Sequence, residues 1–170
     1  MPSKRRIEKT LVIFKPDAVQ RGIIGEILTR FERVGLKIVG MKMISPTREH
    51  YYGHYETIGK VISRRGEATF NRVIDFMLEG PVIAVVLEGV ESIELVRKMI
   101  GSTEPKSAAV GTVRGDYSHI SYDYADATKK CTPNLIHASA NAEEASQEVG
   151  HWFSDSELHE YSSLNEKFTR

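Results

Sequence analysis

The chain has 170 residues, a length that suits one domain and lets it bury well over half of the surface exposed by the unfolded chain. Its 23 basic residues balance 23 acidic ones, which argues against a nucleic-acid or anionic-membrane partner held by bulk charge and requires any anion site to be local. The single cysteine, Cys131, cannot close an internal disulfide, and neither a signal-peptide core nor a bilayer-length apolar run is present, so the expected compartment is the cytoplasm.

The basic stretch Lys4-Arg5-Arg6 has too few charges for a targeting or nucleic-acid patch and reads as a solvated terminus. From Glu8 to Phe14 a run of β-formers predicts a strand that Pro16-Asp17 stops. Ile24, Ile27, Leu28 and Phe31 recur at helical spacing between Gly22 and Arg33, and Gly35 is placed to end that helix. Lys37 to Ile44, bounded by Gly35 and Pro46, reads as a second strand. Thr47 to Tyr55 has the composition of a short helix with Thr47 as its N-cap. Phe70, Val73, Ile74 and Met77 predict a helix over 66–79, ended by Gly80-Pro81 ahead of a strand from Val82 to Leu87 that is apolar on both faces and therefore central. A helix from Glu91 to Ile100 follows. The stretch Gly101 to Gly115 is too long for a plain connector, and loops of that length in compact domains are usually functional or disordered. A short strand is expected near Ser118 to Ser121. Asn141 with Glu144 starts a last helix, running to about Val149, with Trp152-Phe153 as an apolar anchor beyond it.

This order fits an α+β chain with two split βαβ units on an antiparallel sheet, the ferredoxin-like plan with helices on one face and one domain spanning 1–170, better than a doubly wound parallel sheet. Three features then carry chemistry. His137 sits between the apolar pair Leu135-Ile136 and the small Ala138, directly before a helix start. Lys15 leaves the end of the first strand. Arg97 and Arg114 fall in segments that read as functional loops or loop edges. Taken singly, these are a buried histidine, a strand-end charge and surface ion pairs; together they are the parts of a phosphoryl-transfer site. A neutral imidazole, with a reference pKa of about 6.5, can accept a phosphoryl group near pH 7 and release it again.

The segments Thr10-Leu11-Val12-Ile13-Phe14-Lys15-Pro16-Asp17-Ala18-Val19-Gln20-Arg21-Gly22, Gly80-Pro81-Val82, Gly111-Thr112-Val113-Arg114-Gly115-Asp116-Tyr117 and Asn134-Leu135-Ile136-His137-Ala138-Ser139 occur in the order of the nucleoside diphosphate kinase family, which the chain resembles from about Glu8 to about Phe153. The resemblance implies a ferredoxin-like core, a homo-oligomer (hexamer or tetramer) and ping-pong exchange of a γ-phosphoryl group between nucleoside triphosphates, ATP among them, and diphosphates through a phosphohistidine. It assigns the nucleophile to His137, with Glu148 and Ser139 orienting the ring. Lys15, Arg97, Arg114 and the Thr103 hydroxyl would hold phosphates, Asn134 the ribose, and Tyr55 would stand near the nucleophile. Thr69 and Val73 fall where the family contacts the base. A Mg2+ ion is expected on the nucleotide, held mainly by phosphates and water, and no protein residue is assigned to it.

Three departures from the pattern bear on function. Ala140 replaces the aspartate that normally ends the histidine motif, which leaves the nucleophile intact. Thr69 stands where the family stacks a phenylalanine, while the adjacent Phe70 should face elsewhere on its helix. The segments 56–69 and 117–134 are longer than usual, the second carrying Tyr122, Tyr124, Asp126 and Lys129-Lys130. Ala140 and Thr69 motivate an alternative, a catalytically weak nucleotide-binding or scaffolding member of the same fold; against it stand His137, Lys15, Arg97, Arg114, Asn134 and Glu148. A nucleic-acid-binding domain of this fold would want aromatic residues on the sheet and a basic surface, and the strands here offer aliphatic ones.

Overall fold

The computed structural model describes residues 6–170; Lys4 and Arg5 of the basic stretch lie outside them. Four antiparallel strands form one sheet, β1 (Ile7–Phe14), β2 (Lys37–Ile44), β3 (Val82–Val90) and β4 (Ile136–Ala138), in the order β2-β3-β1-β4. Leu11, Val12, Ile13 and Phe14 of the central β1 are all fully buried, because both faces of the sheet are covered. The two-residue period of the strand sends Val12 and Phe14 into one core and Leu11 and Ile13 into the other.

The first core lies under the crossover helices α2 (Ile24–Arg33) and α6 (Ser92–Ile100). Ile27 and Phe31 of α2 and Val96 and Ile100 of α6 pack on Val12, Val85 and Leu87. Both helices of the ferredoxin-like βαββαβ unit therefore share one face, as expected from the sequence. A second helical layer covers the other face. It comprises α3 (Arg48–Tyr52), α4 (Val61–Arg65), α5 (Glu67–Met77) and α9 (Ala142–Trp152), which bring Tyr51, Val61, Phe70, Ile74 and Trp152 onto Leu11 and Ile13. Shorter helices fill the connections: α1 (Pro16–Gln20), α7 (Val113–Tyr117), α8 (Tyr122–Ala127) and α10 (Glu166–Thr169). The stretch after Gly101 runs, with one 3-10 turn at Pro105–Ser107, as far as Thr112, which caps α7.

The caps follow the sequence. The Thr47 hydroxyl accepts from His50 N at 3.1 Å, Asn141 Oδ1 accepts from Glu144 N at 2.9 Å, and Gly35 at φ 90° turns the chain out of α2 as few other residues could. The expected strand at Ser118 to Ser121 is not one. Ile120 gives its carbonyl to Lys106 N, Ser121 caps α8 by accepting from Tyr124 N, and the fourth strand is instead the three residues around His137, too short to show a period of two. α9 runs past Val149 to Trp152, so that Trp152 belongs to the helix it was expected to follow, and α10, which the sequence did not suggest, comes after it. The short helix after Thr47 ends at Tyr52 and passes into a π-helical turn, Gly53–Ile58, which carries His54 and Tyr55.

Candidate active site

The end of β1, the turn into β4 and the start of α9 meet at one cleft of about 620 Å3. His137 is the middle residue of β4, opposite Ile13 in the register, so strand alternation turns its ring away from Ile136 and Ala138 toward the second helical layer. The approach to it is strained. Leu135 sits at φ 73° with Ile136 N donating to Asn134 O at 2.8 Å, the γ-turn of the costly hand. Leu135 N donates to the Asp17 carboxylate at 3.0 Å and Lys15 N to Leu135 O at 2.9 Å, so the first turn of α1 holds the bend in place. Sequence reasoning gave Asp17 only the part of a strand stop with Pro16; a carboxylate immediately after a buried strand was the signal for more.

His137 Nε2 lies 2.9 Å from Glu148 Oε1, and Ser139 Oγ donates to Glu148 Oε2 at 2.6 Å while accepting from Leu11 N at 3.2 Å. Burial opposes charge on Glu148, but the His137 imidazole and the two hydrogen bonds outweigh it and hold the carboxyl below its ordinary range. An ionised Glu148 accepts from Nε2–H. That tautomer leaves the lone pair on Nδ1, which has no hydrogen-bond partner among the described residues. The His137 side chain is 21% exposed and lines the cleft, so this nitrogen is open to an electrophile.

His54 is the site residue that the sequence did not single out. Its ring stands edge-on to His137 at 4.6 Å, and its Nδ1 accepts from Trp152 Nε1 at 3.1 Å and lies 3.8 Å from Glu148 Oε1. Burial, reinforced by the neighbouring His137, keeps His54 well below the usual histidine range and hence neutral. Tyr55 packs beside it, its ring 6.4 Å from that of His137 and its hydroxyl buried without a partner among the described residues.

The other wall is cationic. Lys15 Nζ donates to Asn134 Oδ1 at 2.6 Å, and Asn134 Nδ2 donates to Thr103 O at 2.9 Å. Burial brings the Lys15 ammonium down to about 8, with Cys131 opposing and Arg114 reinforcing the shift. Arg114 donates to Gly101 O, Asn134 O and Ile136 O, which uses three of its five N–H groups and fixes the loop that carries it. Burial, with help from Arg97, lowers it to about 10. Neither Lys15 nor Arg114 has a carboxylate ion-pair partner among the described residues, although both are buried; Arg97 is exposed at the cleft rim. Thr69 and Val73 of α5 line the far end, where Arg72 bridges to Asp126 of α8 at 3.1 Å. Phe70 faces the core against Tyr52, as its helical position requires. All the site residues that the resemblance assigns except Ser139 line this cleft, and Ser139 lies one hydrogen bond behind it; of the long segment 117–134, Tyr122, Asp126 and Lys130 reach the cleft and Tyr124 and Lys129 do not.

The nucleoside diphosphate kinase profile matches residues 8–158. The chain belongs to the nucleoside diphosphate kinase family. It is 47% identical over 159 residues to the nucleoside diphosphate kinase of Borreliella burgdorferi, covering 91% of this chain and 92% of the relative. It is 47% identical over 164 residues to that of Pyrococcus furiosus, covering 96% and 94%. Among solved structures it superposes with a TM-score of 0.91 on a transition-state mimic of the Borrelia burgdorferi enzyme with bound vanadate and ADP, at 46% identity and with 94% and 95% of the two chains covered. Members of this family are phosphotransferases, and the open imidazole facing buried cations is the arrangement such chemistry needs.

Proposed function

We propose that the chain is a nucleoside diphosphate kinase working through a phosphohistidine on His137. The observation that carries this reading is the charge imbalance of the cleft. Two buried cations, Lys15 and Arg114, have no carboxylate ion-pair partner among the described residues and line the same cleft as an imidazole whose free nitrogen is held ready by a buried carboxylate. Burying a cation without a counter-charge is costly, and a polyphosphate supplies that charge on binding. His137 Nδ1 forms a bond to the γ-phosphorus as the bond to the β–γ bridging oxygen breaks, and the diphosphate leaves. An acceptor diphosphate then attacks the same phosphorus from its terminal oxygen and restores the imidazole.

Glu148 stabilises the positive charge that the ring gains, and Ser139 holds Glu148 in place. The Tyr55 hydroxyl, without a partner among the described residues, is available to donate to the transferring group. Lys15, Arg97, Arg114 and Thr103 hold phosphate oxygens, Asn134 the ribose, and Thr69 and Val73 the base. Positioning and charge neutralisation are most of what phosphoryl transfer asks of a protein.

The donor set also bears on magnesium. Of the cleft carboxylates, Glu148 is committed to His137 and Ser139 and Asp126 to Arg72, which leaves Glu144. That set fits an ion carried mainly by phosphate oxygens and water, with Glu144 as the cleft carboxylate that would be free to contribute. When bound, Mg2+ neutralises charge on the β- and γ-phosphates.

The same reading takes the chain to act as one domain and as a homo-oligomer, a hexamer or tetramer, in the cytoplasm. Met41 and Met43, each about half exposed on the outer strand β2, support assembly. Among the described residues no helix is long and apolar enough to cross a membrane. The kinetic test varies donor and acceptor together. A substituted-enzyme route gives parallel double-reciprocal lines, and intersecting lines would reject it.

A further inference from the structure

His54 gives the site a capacity that phosphoryl transfer does not use. His54 Nδ1 and His137 Nε2 converge on Glu148 Oε1, at 3.8 Å and 2.9 Å, and the three ligand atoms all lie within 4.8 Å of one another. A tetrahedral Zn2+ with bonds of about 2.0–2.2 Å keeps its ligands roughly 3.4 Å apart, so closing the widest separation by at most about 1.4 Å and opening the His137–Glu148 contact by about 0.5 Å brings the two imidazoles and the carboxylate into range. Two nitrogens and one oxygen are a donor set for a borderline dication and a poor one for Mg2+, which takes oxygen. His54 is 1% exposed and Glu148 is 1% exposed, while His137 opens on the cleft and provides the way in.

We propose that His54, His137 and Glu148 form a site for a transition-metal dication of the zinc type, occupied in alternation with the phosphoryl group of His137. Bonding of the metal to His137 Nε2 takes the lone pair that now carries a proton. That proton moves to Nδ1, so the nitrogen that would bond to phosphorus bears hydrogen instead and the nucleophile is switched off. The metal also takes the lone pair of His54 Nδ1 from the Trp152 indole N–H. Trp152 is the chain's one tryptophan, which makes this step visible. The site itself stands without the kinase reading; only its inhibitory consequence rests on it.

The apo chain is titrated with Co2+, a spectroscopic stand-in for Zn2+, while Trp152 emission and the visible d–d bands are followed. One ion per chain is expected, with quenching and the bands of a four-coordinate ion, and His54→Phe and Glu148→Gln each weaken binding about tenfold or more. His50 and His151 stack at 4.2 Å beside Trp152 and are the competing imidazole pair; His151→Gln is expected to leave the titration unchanged. Equal quenching in wild type and His54→Phe, or its loss in His151→Gln, overturns the proposal. Should His54→Phe fail to fold by circular dichroism, His54→Asn and Glu148→Gln carry the same comparison. Wild-type chain first incubated with ATP and desalted is expected to refuse the metal in proportion to the phosphate it carries. Undiminished binding to phosphorylated chain contradicts the alternation, whereas a chain that takes no phosphate yet binds metal through His54 contradicts the kinase reading alone.

Discussion

The two ends of the cleft are built differently. At the nucleophile end a chain of hydrogen bonds, buried but for the exposed edge of His137, ties His137 to Glu148, Glu148 to Ser139 and Ser139 to the backbone of β1, with His54 held by Trp152. At the base end the contacts are exposed. Arg72 and Asp126 have side chains 39% and 76% exposed, on helices whose connecting segments depart in length from the family pattern. Chemistry needs a tautomer and a charge fixed in a water-poor network, whereas holding a base needs only a surface of about the right shape. The first tolerates little change in sequence and the second tolerates much, which accommodates a threonine at the proposed base contact, position 69.

Breaking the buried end at its structural anchor gives the largest effect. Trp152→Ala removes a fully packed indole and the hydrogen bond to His54, and is expected to cost about 3–5 kcal/mol in denaturant unfolding. A loss under 1 kcal/mol would show that the network is not part of the core. Lys15→Met is expected to lower kcat/KM by about 10²–10³-fold with little change in stability. Lys15 also sets an alkaline limit. Its ammonium is charged below about pH 8 and loses its proton above that, so kcat/KM of the free enzyme falls on the alkaline side of about pH 8; Lys15→Arg, charged throughout, flattens that limb. A profile unchanged by Lys15→Arg would assign the limit elsewhere.

Glu148→Gln keeps the shape but removes the charge, and a fall of about 10–100-fold in kcat with KM preserved is expected in steady-state assays. The smallest effect belongs to the other end. Asp126→Ala breaks an exposed ion pair, and should change stability by about 1 kcal/mol or less and KM by less than about tenfold. A large loss of kcat there would erase the contrast between the two ends.

Three of the four strands, the crossover helices and the motif around His137 were legible because they rest on local signals: apolar periods, caps and contiguous residues. His54 was not, because its meaning comes from a π-helical turn that sets it against Trp152, a partner 98 positions away. β4 was missed for a related reason. Three residues leave no periodic trace, and their strand character comes from pairing with Val12, Ile13 and Phe14. Asp17 likewise becomes meaningful only once Leu135, 118 positions on, bends back onto it.

The central claim is that the imidazole of His137 carries the phosphoryl group. Incubation with γ-labelled ATP, followed by acid and alkali treatment of the isolated protein, tests it directly. The account predicts an acid-labile, alkali-stable label on the wild-type chain and none on His137→Gln. A folded wild-type chain that takes no label, or a variant that still takes it, would contradict it.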